Sequence, residues 1–198
     1  MNILKLVLRI INHSKKTRFM RNFKSFDRSS YVDKSCEIIG KENVVIGSEC
    51  SIGPNCEIIA FNSHLGQELH SDLFIGNHVR ITSRCRITCA GTLSIGNDVL
   101  IAPDVMITDH NHGMDPTYPG GYSPQPLLVG ETHIGDGVWL GRGVCVLSDV
   151  TIGAHSIIGA NSVVTHDIPE YCMAVGSPAE AIKKYNLKTK QWEKVYYE

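Results

Sequence analysis

Aliphatic residues recur every six positions along most of this chain, and no other feature limits its fold so tightly. Ile134, Leu140, Val146, Ile152, Ile158 and Val164 form one unbroken series. Ile46, Ile52 and Ile58 keep the same spacing, as do Ile75, Ile81 and Ile87, then Ile95, Ile101 and Ile107; Val32 and Ile38 begin an incomplete set. The residue after each aliphatic is usually Gly or Ala, and a small or β-branched residue follows four positions on, as at Cys50, Val79, Val99, Val138 and Ser156. An α-helix would scatter residues six apart around its axis. A long strand would carry Gly in its interior at every repeat. Short strands joined by turns satisfy both constraints: three hexapeptides close one triangular coil, and stacked coils bury like aliphatics on one another. The expected fold is all-β, a single-stranded left-handed parallel β-helix over residues 29–168.

Two interruptions break the count. Seventeen positions separate Ile58 from Ile75, so 11 are extra, and 27 separate Ile107 from Ile134, so 21 are extra. Loops are therefore expected at 59–74 and 108–132, and insertions in a solenoid project from one face and often carry function. The second holds Thr108-Asp-His-Asn-His-Gly-Met-Asp-Pro, with His110 and His112 inside it and His133 at its far end. Its Pro, Gly and Tyr content points to an ordered excursion.

The ends differ from the body. Residues 1–28 carry eight Lys/Arg and one acid, Asp27, which leaves a mildly acidic remainder. Phosphate binding needs concentrated basic surface, so nucleic acid is not an expected partner. Asn2–Met20 reads as a basic amphipathic helix with Leu4, Leu8 and Ile11 on one face. Two roles stay open for it: a cap on the solenoid's open end, or peripheral contact of residues 2–20 with an anionic membrane surface. No signal peptide or bilayer-spanning run is apparent, so a cytoplasmic location is expected, with the inner membrane face as the alternative. Residues 169–198 are expected to hold a short closing helix from Ala179 to Tyr185 and a tail docked through Trp192, Tyr196 and Tyr197. Cys36, Cys50, Cys56 and Cys85 fall on the small inward position, where a thiol acts as a small hydrophobe. Cys89, Cys145 and Cys172 receive no role, and all seven are read as reduced thiols.

Three segments in order, Ile95-Gly-Asn-Asp-Val-Leu-Ile-Ala-Pro-Asp-Val, Ile134-Gly-Asp-Gly-Val-Trp-Leu-Gly and Ile158-Gly-Ala-Asn-Ser-Val-Val-Thr-His-Asp-Ile-Pro leading to Val175-Gly-Ser-Pro-Ala, carry a resemblance over roughly residues 44–184. The chain resembles the hexapeptide-repeat acyltransferase superfamily, in the branch of maltose, galactoside and polysaccharide O-acetyltransferases. That resemblance implies acetyl-CoA as co-substrate, a saccharide acceptor, a homotrimer with intersubunit sites and no metal. It makes His112 the general base, in a segment where Gly113 replaces the family's usual Pro; His110 and Asp109 are weaker candidates. Imidazole suits that task, since its unperturbed pKa of about 6.5 lets it take and return a proton at neutral pH. The implied cofactor groove uses Trp139, Gly141, Arg142, Ala160, Thr165 and Lys183. Arg142 stands where the family often has Ser, and Glu180 where it often has a basic residue, which weakens the match at the phosphate end.

Other readings compete. N-acetylation of an amino or nucleotide sugar would demand less of a base. A non-catalytic solenoid would bind no CoA. A metal-binding β-helix of the γ-carbonic anhydrase type needs a histidine spacing that His110, His112 and His133 lack. The N-terminal segment is too short for the helical domain of serine acetyltransferases.

Overall fold

The computed structural model, which describes residues 19–195, turns each hexad into a short strand and a tight corner. Three parallel sheets result. The first face holds Ser25–Phe26, Val44–Ile46, Asp72–Ile75, Thr92–Ile95, Glu131–Ile134 and Thr151–Ile152. The second holds Tyr31–Val32, Ser51–Ile52, Arg80–Ile81, Leu100–Ile101, Trp139–Leu140 and Ile157–Ile158, and the third Glu37–Ile39, Glu57–Ala60, Arg86–Cys89, Met106–Thr108, Cys145–Val146 and Val163–Val164. Parallel pairing in register aligns the aliphatics into ladders. On the second face Val32, Ile52, Ile81, Ile101, Leu140 and Ile158 are successive partners, and on the third Ile38, Ile58, Ile87, Ile107, Val146 and Val164. Most are fully buried, and each such side chain removed from water contributes about 1.5–3 kcal/mol. The architecture is a three-sided parallel β-helix, as the six-residue period requires.

The corners explain a second regularity. The third residue after a ladder aliphatic takes a left-handed backbone: Glu49, Asn55, His78, Arg84, Asp98, Asp104, Asp149, His155 and Asn161 all have φ between 54° and 65°, and Gly137 and Gly143 have φ of 64° and 68°. Asn and Asp tolerate this region and Gly is at home there, which accounts for their frequency. Coils also approach too closely for some side chains. A Cβ on Gly53 would lie 1.9 Å from the carbonyl oxygen of Thr82 on the next coil. Cys50 and Cys56 sit buried at the inward positions expected of them, as does Cys85, and Cys36 is half-buried.

The ends depart from expectation. The predicted helix at 2–20 lies outside the described residues save its last two positions, which are helical. Coiling begins before residue 29, where the β-helix was expected to start, because Ser25–Phe26 already pairs with Val45 and Ile46. The closing helix is not formed. Ala179–Asn186 is instead a strand, antiparallel to Cys172–Gly176 on one side and to Gln191–Lys194 on the other. Ala179 and Ala181 turn inward while Glu180 and Ile182 face out, a two-residue alternation along the part nearest the coils. The open edge of the second face offers these residues a full set of backbone partners, and that outweighs the helical preference of Ala, Glu and Lys. Trp192 does dock, its ring 5.3 Å from that of Tyr185; Tyr196 and Tyr197 lie outside the described residues. No helix among the described residues is long and apolar enough to cross a membrane.

Candidate active site

Both interruptions leave the same corner, where the third face passes to the first. The earlier one forms a hairpin of Ser63–His64 with Gln67–Glu68, and the later one a hairpin of His110–His112 with Leu127–Val129. Regular pairing resumes at Asp72 and at Glu131, so the strands reach further into the expected loops than the repeat count indicated.

Asp109 anchors the later excursion. Its side chain is 0% exposed and accepts hydrogen bonds from the backbone N–H groups of Ala90 (2.8 Å) and Gly91 (2.9 Å). His110 Nδ1 approaches the same carboxylate at 2.8 Å, and only 14% of that histidine's side chain is exposed. Burial pushes the Asp109 carboxyl up, but these hydrogen bonds, with one from Cys89, outweigh it and hold the group below the ordinary carboxylate value. The ring of Phe61 meets that of His110 edge to face at 5.4 Å. Asp109 and His110 thus tie the hairpin's base to the coil beneath it.

His112 has the opposite surroundings. It is exposed, it pairs across the hairpin with Leu127, and its ring lies 5.4 Å from that of His64 at an interplanar angle of 73°. Asn111 beside it reaches Ser148 at 2.7 Å, which steadies the strand over the following coil. Beyond the hairpin strand, Gln125 is buried and organises the excursion: its amide oxygen accepts the N–H of Asp115, and its amide nitrogen donates to the carbonyls of Asp115 and Gly121. His133 stays outside this group, on the first face, with Nδ1 2.8 Å from Ser94 Oγ.

The other residues marked by resemblance fall on different sides of the coil. Trp139 (47% exposed) and Lys183 lie on the second face, on one line of cross-strand partners through Ile157 and Met173. Gly141, Arg142 and Ala160 turn the corner from the second face to the third, where a Cβ on Gly141 would be 2.7 Å from the backbone nitrogen of Ala160. Arg142 Nε is 2.9 Å from Asp104, which also takes Arg84 at 2.7 Å. Thr165 alone shares the third-to-first corner with His112, following Val164 on the third face. Within one chain these groups do not converge. Glu180, the departure at the phosphate end, faces His166 at 3.7 Å. A cavity of about 400 Å³ opens there, lined by His166, Ile168, Glu180 and Lys184 among others. At the opposite end a polar cleft of about 430 Å³ is lined by Lys24, Asn43, Asn62, Glu68, His70 and Ser71. No group of three or more His, Cys, Asp or Glu among the described residues is arranged to hold a metal ion.

His64, Gln67 and Phe61 were not singled out by sequence, because their importance lies in contact with a distant segment. The only local signal was the 11-residue interruption that contains them.

Residues 131–166 match the family model described as bacterial transferase hexapeptide (six repeats). The chain is 36% identical over 165 residues to a putative lipopolysaccharide biosynthesis O-acetyl transferase, WbbJ, of Escherichia coli, covering 80% of this chain and 81% of that protein. It is 34% identical over 122 residues to the galactoside O-acetyltransferase of Escherichia coli, over 62% of this chain and 59% of the relative. The chain therefore belongs to the hexapeptide-repeat acyltransferases, in the branch that includes these sugar O-acetyltransferases, and is an acyltransferase. Among solved structures it resembles AntD, an N-acyltransferase from Bacillus cereus, with a TM-score of 0.72 and 18% identity over 89% of this chain and 90% of that one. A hexapeptide-repeat acetyltransferase from Vibrio cholerae matches with a TM-score of 0.62 and 22% identity, over 87% and 77%. These two likenesses concern the fold.

Proposed function

We propose that this chain transfers an acetyl group from acetyl-CoA to a saccharide hydroxyl, with His112 as general base. The carrying observation is the contrast between two neighbouring histidines. His110 is spent on a buried carboxylate, while His112 stands exposed with no hydrogen bond to its ring among the described residues. An exposed imidazole on a braced hairpin is free to accept a proton from an incoming hydroxyl. As His112 takes that proton, the hydroxyl oxygen bonds to the acetyl carbon and a tetrahedral oxyanion forms. Its collapse re-forms the carbonyl and breaks the carbon–sulfur bond. The thiolate leaves, and the imidazolium returns its proton to it. No bond between enzyme and acetyl group is needed.

Relatives named for O-acetyl transfer in lipopolysaccharide biosynthesis and on galactosides support the choice of a saccharide hydroxyl. The carboxamides, hydroxyl, imidazole and carboxylate lining the 430 Å³ cleft also suit a sugar's hydroxyls. Trp139, Gly141, Arg142, Ala160, Thr165 and Lys183 are assigned to acetyl-CoA. Because all of them but Thr165 lie around other sides of the coil than His112, one protomer would supply the base and a neighbour part of the donor groove. That arrangement fits a homotrimer with sites between subunits.

The test is acetyl-CoA turnover on a panel of saccharides and of matched amino sugars. Hydroxyl acceptors should be acetylated by the wild type, with loss of at least about 100-fold in kcat for His112→Ala. Turnover confined to amines and indifferent to His112→Ala would replace this reading with N-acetylation.

A further inference from the structure

Two cross-strand pairs from separate interruptions dock on one another beside the proposed base. In the first hairpin His64 stands opposite Gln67, and in the second His112 stands opposite Leu127. Gln67 grips Leu127 by both ends of its amide: Oε1 accepts the Leu127 N–H at 2.7 Å, and Nε2 donates to the Leu127 carbonyl at 3.2 Å. His64 meets His112 ring to ring, with centroids 5.4 Å apart. Beneath them Leu69, Ala90, Leu127 and the half-buried Phe61 pack as a small apolar cluster separate from the main core. The latch on Leu127 therefore fixes the backbone opposite His112, and the ring of His64 bounds the space its imidazole can sweep.

The nitrogen of His64 carries further information. Its Nε2 is buried and has no hydrogen-bond partner among the described residues. A buried polar atom left unpaired costs free energy, so hydrogen bonding by that atom is not what fixes the ring. Packing against His112 and the latch formed by Gln67, its cross-strand partner, are the contacts that set it.

We infer that His64 is a positioning residue for acetyl transfer, its ring serving as the wall that holds His112 in the orientation needed to take the acceptor's proton. The inference rests on the general-base reading of His112. An imidazole free to rotate would spend less time aimed at the hydroxyl, and small misplacements at a reacting centre are costly in rate.

The experiment compares His64→Ala, His64→Phe and Gln67→Leu with the wild type and His112→Ala, measuring kcat, KM for acetyl-CoA and melting temperature. His64→Ala should lower kcat about tenfold or more and leave KM for acetyl-CoA within about twofold, because all the assigned donor residues but Thr165 lie elsewhere on the coil. His64→Phe restores an edge-to-face ring and should recover most of that kcat. It also removes the unpaired nitrogen, so its melting temperature should rise by about 3 °C. Gln67→Leu cuts the latch while keeping both rings, and should lose kcat like His64→Ala; it serves if the alanine variant does not fold. Either of two results overturns the positioning role while leaving the base intact: kcat for His64→Ala within twofold of wild type when His112→Ala is inactive, or a phenylalanine variant as slow as the alanine one. Wild-type activity that survives His112→Ala removes the base itself, and the positioning role with it.

Discussion

The unbroken coils from Ile134 to Val164 and the corner that carries both hairpins are assembled from the same kind of strand, yet they handle polar groups in opposite ways. In the coils each ladder aliphatic is buried, and corner amides bond to the coil above or below, as Gly141 N–H does to Ile158 and Asn161 N–H to Arg142. At the hairpin corner a carboxylate is buried at Asp109, an imidazole nitrogen of His64 is buried without a partner among the described residues, and a second imidazole, His112, is left open to solvent. Regular stacking provides a stiff frame. The interruptions place on it groups that a repeating pattern has no means to accommodate.

Damage to the frame should act on stability, and the largest effect is expected inside the ladders. Ile101→Ala empties a site that is 0% exposed between Ile81 and Leu140. It should cost about 3–4 kcal/mol, read as a fall of about 10 °C in melting temperature. A loss below about 1 kcal/mol would mean that the coils tolerate voids and that the frame is not stiff.

Asp109 sits where frame and site meet, and Asp109→Asn sharpens the contrast. The asparagine amide can accept at only one position, so one of the Ala90 and Gly91 N–H groups loses its partner, at a cost of about 2 kcal/mol. The sign of its pH dependence follows from the direction of the shift. The carboxyl is held below its ordinary value in the folded chain, so the charged form stabilises the fold at neutral pH. That contribution fades as the pH falls below about 4. Melting temperature followed from pH 7 downward should drop less steeply in Asp109→Asn than in the wild type; parallel curves would show that Asp109 contributes nothing to the acid limb.

Arg142→Ala is expected to do least to stability. Its contact with Asp104 is solvent-exposed, and such pairs contribute little. If Arg142 belongs to the donor groove, KM for acetyl-CoA should rise several-fold with melting unchanged. An unaltered KM would remove Arg142 from that groove.

Much of this was legible in the sequence, for reasons that differ by region. The ladders could be read because a period of six leaves stacked short strands as the arrangement that buries Ile46, Ile75 and Ile95 together. The left-handed corner residues are equally periodic, but Glu49 and Arg84 hide the pattern behind residue types that rarely adopt such a backbone. The helix expected from Ala179 to Tyr185 is a strand instead, because local preference cannot register an unfilled sheet edge several strands away. The proposed base, His112, is marked by its motif inside the longer interruption. His64 is not, since nothing near it in the chain announces a ring contact with the other excursion. The assignment of Cys50, Cys56 and Cys85 to the interior followed from position alone, and each is buried.

On this proposal the coils supply stability while His112 supplies chemistry, and one preparation of His112→Ala tests both halves. Its kcat on a hydroxyl acceptor and its melting temperature should be measured beside those of the wild type. The expected kcat is at least about 100-fold lower with melting unchanged, because the exposed ring braces nothing in the frame. A kcat within a few-fold of wild type, or a rate loss that merely follows a collapse in melting temperature, would contradict it.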